Sequence, residues 1–119
     1  LPLGRDGAGI YRTDWEPLLS MLGDDAMAPE RRAEIFHCSL ATVILDQAMA
    51  ARSLHSIERV GLTGGVFQNN FLATLAVDLL KNNGFDVHLP LKLPCNDAAL
   101  SFGQIAEYAA RGAEARTDG

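Results

Sequence analysis

The stretch that decides the fold reads Thr63-Gly64-Gly65-Val66-Phe67-Gln68-Asn69-Asn70. Residues 57–63 before it predict a β-strand, and residues 69–83 after it carry leucines at helical spacing and predict a helix. Two adjacent glycines at such a junction let the backbone approach a bound group without interference from a Cβ atom. The helix start adds N–H groups that suit an anion. The stretch predicts either a nucleotide-binding turn or a plain tight turn from strand to helix, with Asn69 as the cap of the helix.

A second strand is predicted over residues 85–89, after a helix stop at Asn82-Asn83-Gly84 in which Gly84 suits the left-handed conformation. Strand, helix and strand in this order form a βαβ unit with parallel strands. A loop over 91–94 then leads to a last helix, which opens at Asn96-Asp97 and reaches about Arg111. In open α/β sheets, ligands bind at the carboxyl ends of the strands, which is where both helix starts lie.

Asp97 has two interpretations. A carboxylate at a helix start caps the helix and suits its dipole. The same carboxylate, placed beside the glycine turn, would serve as a metal ligand. The residues alone leave both interpretations open.

The N-terminal half predicts a loop over 1–13, a short helix over 14–22 with Asp14 as its N-cap, and a long helix over 29–54 with Pro29 in its first turn. We therefore divide the chain into a loop (1–13), a helical part (14–54), a nucleotide-binding βαβα part (57–111) and a frayed tail (112–119). Gly103, inside the last helix, suggests close packing against a neighbour. His37 is predicted to be a structural histidine.

The composition narrows the class of protein. A hydrophobic fraction of 48 % can form a core, and a net charge of −5 does not favour a nucleic-acid partner. No apolar run approaches the ~20 residues of a membrane helix, and the first residues do not form a secretion signal. Cys38 and Cys95 make no disulfide framework, so we expect a cytoplasmic setting, with Cys38 buried and Cys95 a plain loop residue. Because the chain lacks an initiating Met, we expect a fragment of a longer protein.

Five stretches resemble one known family, in the same order along the chain: 14–19 (Asp-Trp-Glu-Pro-Leu-Leu), 36–41 (Phe-His-Cys-Ser-Leu-Ala), 64–69 (Gly-Gly-Val-Phe-Gln-Asn), 84–87 (Gly-Phe-Asp-Val) and 94–104 (Pro-Cys-Asn-Asp-Ala-Ala-Leu-Ser-Phe-Gly-Gln). They resemble the C-terminal part of the HypF carbamoyltransferases of NiFe-hydrogenase maturation. The implied fold is α/β, one lobe of an actin-like ATPase (ribonuclease H-like) fold with a βαβ unit and flanking helices.

The resemblance also implies an activity. The intact enzyme would make carbamoyl adenylate from carbamoyl phosphate and ATP, and would carbamoylate the C-terminal cysteine of HypE for cyanide ligand synthesis. Gly64, Gly65 and Asn69 match positions that hold the adenylate. Asp97 matches an acidic ligand of a divalent metal, iron or zinc.

The sequence departs from the family in two respects. It lacks the paired histidine ligands of the family's metal site, and it lacks the acylphosphatase, zinc-finger and adenylate-forming domains that lie upstream. We therefore expect the isolated piece to bind metal weakly and to be inactive. The alternatives are a lobe of a tRNA threonylcarbamoyl transferase or an antibiotic O-carbamoyltransferase, or a non-catalytic module that binds a nucleotide or a protein.

Overall fold

The computed structural model describes residues 1–90 and 94–117, with side chains described as far as Ala110. These residues form an antiparallel hairpin, two helices, and a βαβ unit followed by a last helix. This is the α/β arrangement predicted from the sequence. The predicted loop over 91–94 lies outside the described residues, apart from Pro94.

The N-terminal hairpin pairs β1 (Leu3–Arg5) with β2 (Tyr11–Thr13). Asp6 closes the turn, because its Oδ1 accepts hydrogen bonds from the main-chain N–H groups of Ala8 and Ile10 at 3.0 and 2.9 Å. The prediction of a loop over 1–13 was therefore wrong. Strands of three residues are too short to show the alternation by which strands are recognised.

Helix α1 (Glu16–Leu22) is shorter than the predicted helix over 14–22. Asp14 was predicted to be the N-cap of α1, but it lies one residue before the cap position. Its Oδ1 accepts a hydrogen bond from the N–H of Glu16 at 3.0 Å. Trp15 occupies the cap position and makes no side-chain cap bond. Of the predicted apolar face, Leu18 alone is buried, so α1 packs through little more than one side chain.

Helix α2 (Pro29–His55) begins at the predicted proline and ends one residue beyond the predicted end. It stops at Ser56, which takes a left-handed φ of +55° and donates its N–H to the carbonyl of Arg52 at 2.8 Å. Ala41, near the middle of the helix, is fully buried. Because alanine is small, it allows a close approach of the neighbouring helix.

The βαβ unit consists of β3 (Arg59–Gly61), α3 (Asn70–Asn82) and β4 (Asp86–His88). The two strands run parallel with Val60 opposite Val87, which confirms the predicted unit. Gly84, with a φ of +80°, confirms the predicted stop after α3. The strands are shorter than predicted, but main-chain hydrogen bonds from Leu62 to His88 and from Asp86 to Glu58, both at 2.9 Å, continue the contact just beyond β3.

The core lies between α2, α3 and the two-stranded sheet. Its fully buried members are all apolar: Ala41, Leu62, Leu72, Ala76, Leu80 and Phe85. Leu72, Ala76 and Leu80 recur at every fourth residue, so a single face of α3 contributes them. This packing fixes the start of α3, and with it the glycine turn, against the strands.

The last helix follows a 3₁₀ turn over Asp97–Ala99 and spans Leu100–Thr117 as α4. The predicted start is confirmed, but the predicted end near Arg111 was too early. Residues 112–117 of the predicted tail are helical, and residues 118 and 119 lie outside the described part. Every described side chain of α4 is exposed, so the helix leaves the core without a packed face.

Candidate functional site

The candidate site lies at one edge of the parallel sheet. β3 and β4 run in the same direction, so their carboxyl ends meet at that edge. The glycine turn follows β3, and the segment containing Asp97 follows β4. This is the place where ligands bind in open α/β sheets.

The glycine turn has an unusual backbone. Gly64 takes a φ of +114° and a ψ of 153°, a conformation that is nearly confined to glycine. A Cβ atom built on Gly64 would meet no other atom within 4 Å, so the backbone conformation, not space, requires glycine here. The 3₁₀ helix Gly65–Gln68 follows, and its first hydrogen bond runs from the N–H of Phe67 to the carbonyl of Gly64 at 3.1 Å. The N–H groups of Gly65 and Val66 precede that bond, so the helix itself gives them no acceptor.

The two loops at this edge are joined directly. The main-chain N–H of Gly64 donates a hydrogen bond to the carbonyl of Cys95. A Cβ atom on Gly65 would lie 3.9 Å from the Cβ atom of Asn96, an ordinary contact distance. The glycine turn and the segment before α4 therefore form one continuous wall.

Asp97 is not the cap of the last helix. Asn96 takes that position, and its Oδ1 accepts a hydrogen bond from the N–H of Ala98 at 3.1 Å. The capping interpretation of Asp97 was therefore wrong, because the amide one residue earlier already serves the helix start. Asp97 is exposed, and within the described residues its carboxylate makes no hydrogen bond or ion pair. It is thus available to a ligand.

An open groove of about 880 Å³ lies between this wall and α4. The residues that line it come from both loops and from one face of the helix: Thr63, Gly64, Cys95, Asn96, Asp97, Ala99, Leu100, Gly103, Gln104, Glu107 and Tyr108. The structure thus brings together Gly64 and Asp97, two of the predicted site residues. Sequence reasoning missed Glu107 and Tyr108. They follow Gly103 by four and five residues, and this spacing could have indicated that they share a helical face with it.

Asn69, the third predicted nucleotide-binding position, is not among the residues that line the groove. It caps α3: its Oδ1 accepts hydrogen bonds from the N–H groups of Phe71 and Leu72 at 3.1 and 3.2 Å. Its Nδ2 lies 2.8 Å from Nε2 of His37 on α2. The predicted cap is thus confirmed, and His37 makes a contact that the sequence did not predict.

The groove holds a partial set of metal donors. Asp97, Glu107 and Cys95 all line it, but no group of three or more His, Cys, Asp or Glu side chains in the described residues is placed to hold one metal ion. Protein metal sites usually draw three or four protein ligands. The described residues could therefore contribute one metal ligand, Asp97, but they do not form a complete metal site. The other thiol, Cys38, is exposed, so the prediction that it is buried was wrong.

A cluster of ionisable side chains lies on β3 and β4. Oδ2 of Asp86 lies 3.0 Å from Nε2 of His88 and 3.0 Å from Nε of Arg59. The hydrogen bond from His88, followed by that from Arg59, lowers the pKa of Asp86 below its ordinary value. The cluster is exposed and is not part of the groove wall.

None of the helices in the described ranges combines the length and the apolar character needed to cross a lipid bilayer.

Comparison with known proteins identifies the family. Residues 3–104 match the family described as "Carbamoyltransferase, Kae1-like Domain, second subdomain". The chain is 37 % identical over 93 residues to "Carbamoyltransferase HypF" of Synechocystis sp., an alignment that covers 77 % of this chain and 12 % of that protein. It is 35 % identical over 98 residues to "Carbamoyltransferase HypF" of Rhodobacter capsulatus, covering 82 % of this chain and 13 % of that protein.

The chain also resembles relatives of a second kind. The chain is 29 % identical over 76 residues to the "tRNA N6-adenosine threonylcarbamoyltransferase" of Clostridium novyi, covering 64 % of this chain and 22 % of that protein. No solved structure was found to match. The chain spans about an eighth of the length of the two HypF relatives. The family match confirms the predicted fold class, an α/β lobe of the actin-like, ribonuclease H-like type. The chain therefore belongs to the HypF carbamoyltransferase family, as the second subdomain of its Kae1-like domain.

Proposed function

We propose that this chain forms one wall of the transfer site of a HypF-like enzyme, which uses carbamoyl phosphate and ATP, through carbamoyl adenylate, to carbamoylate the C-terminal cysteine of a HypE-like acceptor. The single observation that carries the proposal is the meeting of Gly64 and Asp97 in one groove at the carboxyl ends of β3 and β4. In the intact enzyme, upstream domains supply the opposite wall, and the setting is the cytoplasm.

The glycine turn is the nucleotide-binding part of this proposal. Gly64 gives the backbone its turn, and the N–H groups of Gly65 and Val66 are free of intrahelical bonds and suit phosphate oxygens of ATP or carbamoyl adenylate. These donors are main-chain groups, so an acidic chain can still hold an anion here.

Asp97 is the metal-binding part. Its exposed carboxylate would contribute one oxygen ligand to a divalent cation, iron or zinc. Such a cation would polarise the carbamoyl or phosphoryl oxygen when bound. The remaining ligands come from outside the described residues, because these contain no complete donor set.

The test is Asp97→Ala in the intact carbamoyltransferase that carries this chain. Since the loss of even an outer-shell partner of a metal ligand typically costs about 10- to 100-fold, carbamoyl transfer should fall at least that far. The bound metal, measured by elemental analysis, should fall with it. Asp78→Ala is the matched control, because Asp78 is an exposed carboxylate on α3 outside the groove. Unchanged transfer and metal content in Asp97→Ala would remove Asp97 from the site.

The need for a second wall has its own test. We expect the 119-residue chain alone to bind ATP weakly, because the groove is open on one side. A calorimetric titration that gives a micromolar dissociation constant for the isolated chain would contradict this expectation.

Transfer to tRNA is the second candidate, and the threonylcarbamoyltransferase relatives favour it. The net charge of −5 argues against a tRNA contact through this piece. Incubation of the intact enzyme with radiolabelled substrate and either acceptor separates the two: label on tRNA supports the second candidate, and label on a protein cysteine supports the first.

A further inference from the structure

Helix α4 has two sides, and the groove uses only one of them. The α4 residues that line the groove follow each other by three or four positions or are direct neighbours: Leu100, Gly103, Gln104, Glu107 and Tyr108. Residues at this spacing lie on one side of a helix. The groove therefore leaves the opposite side of α4 unused.

The opposite side of α4 is apolar. Phe102, Ile105, Ala106 and Ala109 follow the same spacing, and at about 3.6 residues per turn they lie across the helix from the groove residues. We call these four residues the outer face. All four are exposed, Phe102 to 54 % and Ile105 to 67 %. A helix that faces water on its outer side normally carries polar or charged residues there, and none of these four is polar.

The outer face therefore has the character of a contact surface. A helix that is apolar on both sides is one that other parts of a protein cover on both sides. Single exposed apolar residues are common on protein surfaces, but a contiguous apolar face usually marks an interaction site. Within the described residues, neither Phe102 nor Ile105 is covered.

We infer that the first subdomain of the same Kae1-like domain covers the outer face. This chain is the second subdomain and spans about an eighth of the length of the two HypF relatives, so most of the polypeptide lies outside it. The composition of the face also favours a permanent partner. Permanent interfaces resemble the interior of a domain, whereas an acceptor protein that binds and leaves at each turnover uses a more polar surface.

This inference goes beyond the proposed function, because it does not depend on what the groove binds. It places α4 between two layers, with the groove on one side and the first subdomain on the other. Since most of the stability of a helix in a protein comes from tertiary packing, a cover on the outer face is what orders α4 in the intact enzyme. The groove then keeps its helical wall although the described side chains of α4 are exposed in this chain.

Two substitutions change the outer face without weakening the helix. Phe102→Gln and Ile105→Gln replace an apolar side chain by a polar one, and glutamine is at least as favourable inside a helix as phenylalanine or isoleucine. Ser101→Gln is the matched control, because Ser101 is exposed, lies on the same helix and belongs to neither face. Leu80→Ala, in the buried core, is the reference for a variant that destabilises the chain itself.

Hydrogen exchange of the main-chain N–H groups of residues 102–109 measures the cover. In the intact enzyme these groups should exchange at least about tenfold more slowly than in the 119-residue chain, because large apolar side chains are buried there. Phe102→Gln and Ile105→Gln should lose most of this slowing in the intact enzyme, and Ser101→Gln should keep it. In the chain alone, the three glutamine variants should stay within about twofold of the unsubstituted chain. Equal exchange in the intact enzyme and in the chain alone overturns the inference.

A photoreactive phenylalanine analogue at position 102 of the intact enzyme identifies the partner. On illumination it should form a cross-link to the first subdomain of the same polypeptide, mapped by mass spectrometry. A cross-link to another domain, to a second copy or to an added acceptor protein overturns the inference. Neither experiment measures carbamoyl transfer, so unchanged transfer in Asp97→Ala, which is the failure of the proposed function, would leave both results valid.

Discussion

The main-chain N–H of Gly64 donates a hydrogen bond to the carbonyl of Cys95, which ties the turn after β3 to the segment after β4. A ligand in the groove thus meets two loops that are held together before it arrives. This hydrogen bond depends on the backbone conformation of Gly64.

Gly64→Ala should destabilise the chain by about 1–3 kcal/mol, because alanine at a φ of +114° is strained even where its Cβ has space. Urea unfolding of the 119-residue chain measures the change. Gly61→Ala is the control: Gly61 has no positive φ, and a Cβ atom there also meets nothing within 4 Å. Equal stability losses in the two variants would show that the backbone of Gly64 is not the cause.

Gly103→Ala should separate stability from ligand binding. Alanine is favoured over glycine inside a helix by about 1 kcal/mol, and a Cβ atom on Gly103 would meet no described atom within 4 Å. The helix content of the chain, measured by circular dichroism, should therefore rise. Gly103 lines the groove, so the proposed function predicts that the new methyl group raises the KM of the intact enzyme for ATP as well.

The reverse substitution on the same helix, Ala106→Gly, is the matched comparison, because Ala106 is exposed and does not line the groove. It should lower the helix content, because glycine is less favourable than alanine inside a helix. If Gly103→Ala instead lowered the stability of the intact enzyme, the interpretation of Gly103 as a packing contact with a neighbour would be favoured.

Acid should loosen the N-terminal hairpin. The hydrogen bond that Nε of Arg12 donates to Oδ2 of Asp6 at 2.7 Å is the main cause of the lowered pKa of Asp6, and the N–H of Ile10 adds to it. Because the pKa is lower in the folded than in the unfolded chain, the stabilisation is complete above the unfolded value of about 3.9. It is lost as the pH falls from there through the folded pKa.

The carboxyl carbon shift of Asp6 and the amide shift of Ile10, followed by NMR from about pH 6 to about pH 2, should titrate together below the ordinary aspartate value. Asp6→Asn should abolish this titration of Ile10. A midpoint at or above the ordinary value would contradict the role of Arg12.

The features of this fold that depend only on residues close together in the sequence were predictable from the sequence. Pro29 starts α2, Asn69 caps α3 and Gly84 ends it, each because one residue type suits one local backbone geometry. The βαβ unit followed from the order of such segments. The hairpin was missed because its strands have three residues each, and the end of α4 was missed because Gly112 does not stop that helix.

The site was predictable only in part, because its geometry depends on contacts between distant residues. Gly64 and Asp97 could be expected at one edge from the parallel topology. The hydrogen bond between His37 and Asn69 joins positions 32 residues apart, and no local pattern contains it. Likewise, the assignment of the cap to Asn96 rather than Asp97 depends on which of two neighbouring side chains faces the helix, and both types are good caps.

The exposure of helix α4 affects the free energy with which a ligand binds in the groove. Leu100, Phe102, Ile105 and Tyr108 are each more than half exposed, so the helix is not stabilised by burial against the described residues. Because most of the stability of a helix in a protein comes from the tertiary packing of one face, α4 lacks its main source of stabilisation among the described residues. A ligand that bridges the glycine turn and α4 must therefore supply part of the free energy that orders the helix, and its apparent affinity is lower than its contacts alone would give. Binding to this chain should consequently carry a heat-capacity change larger than the ligand's own surface accounts for, the signature of folding coupled to association.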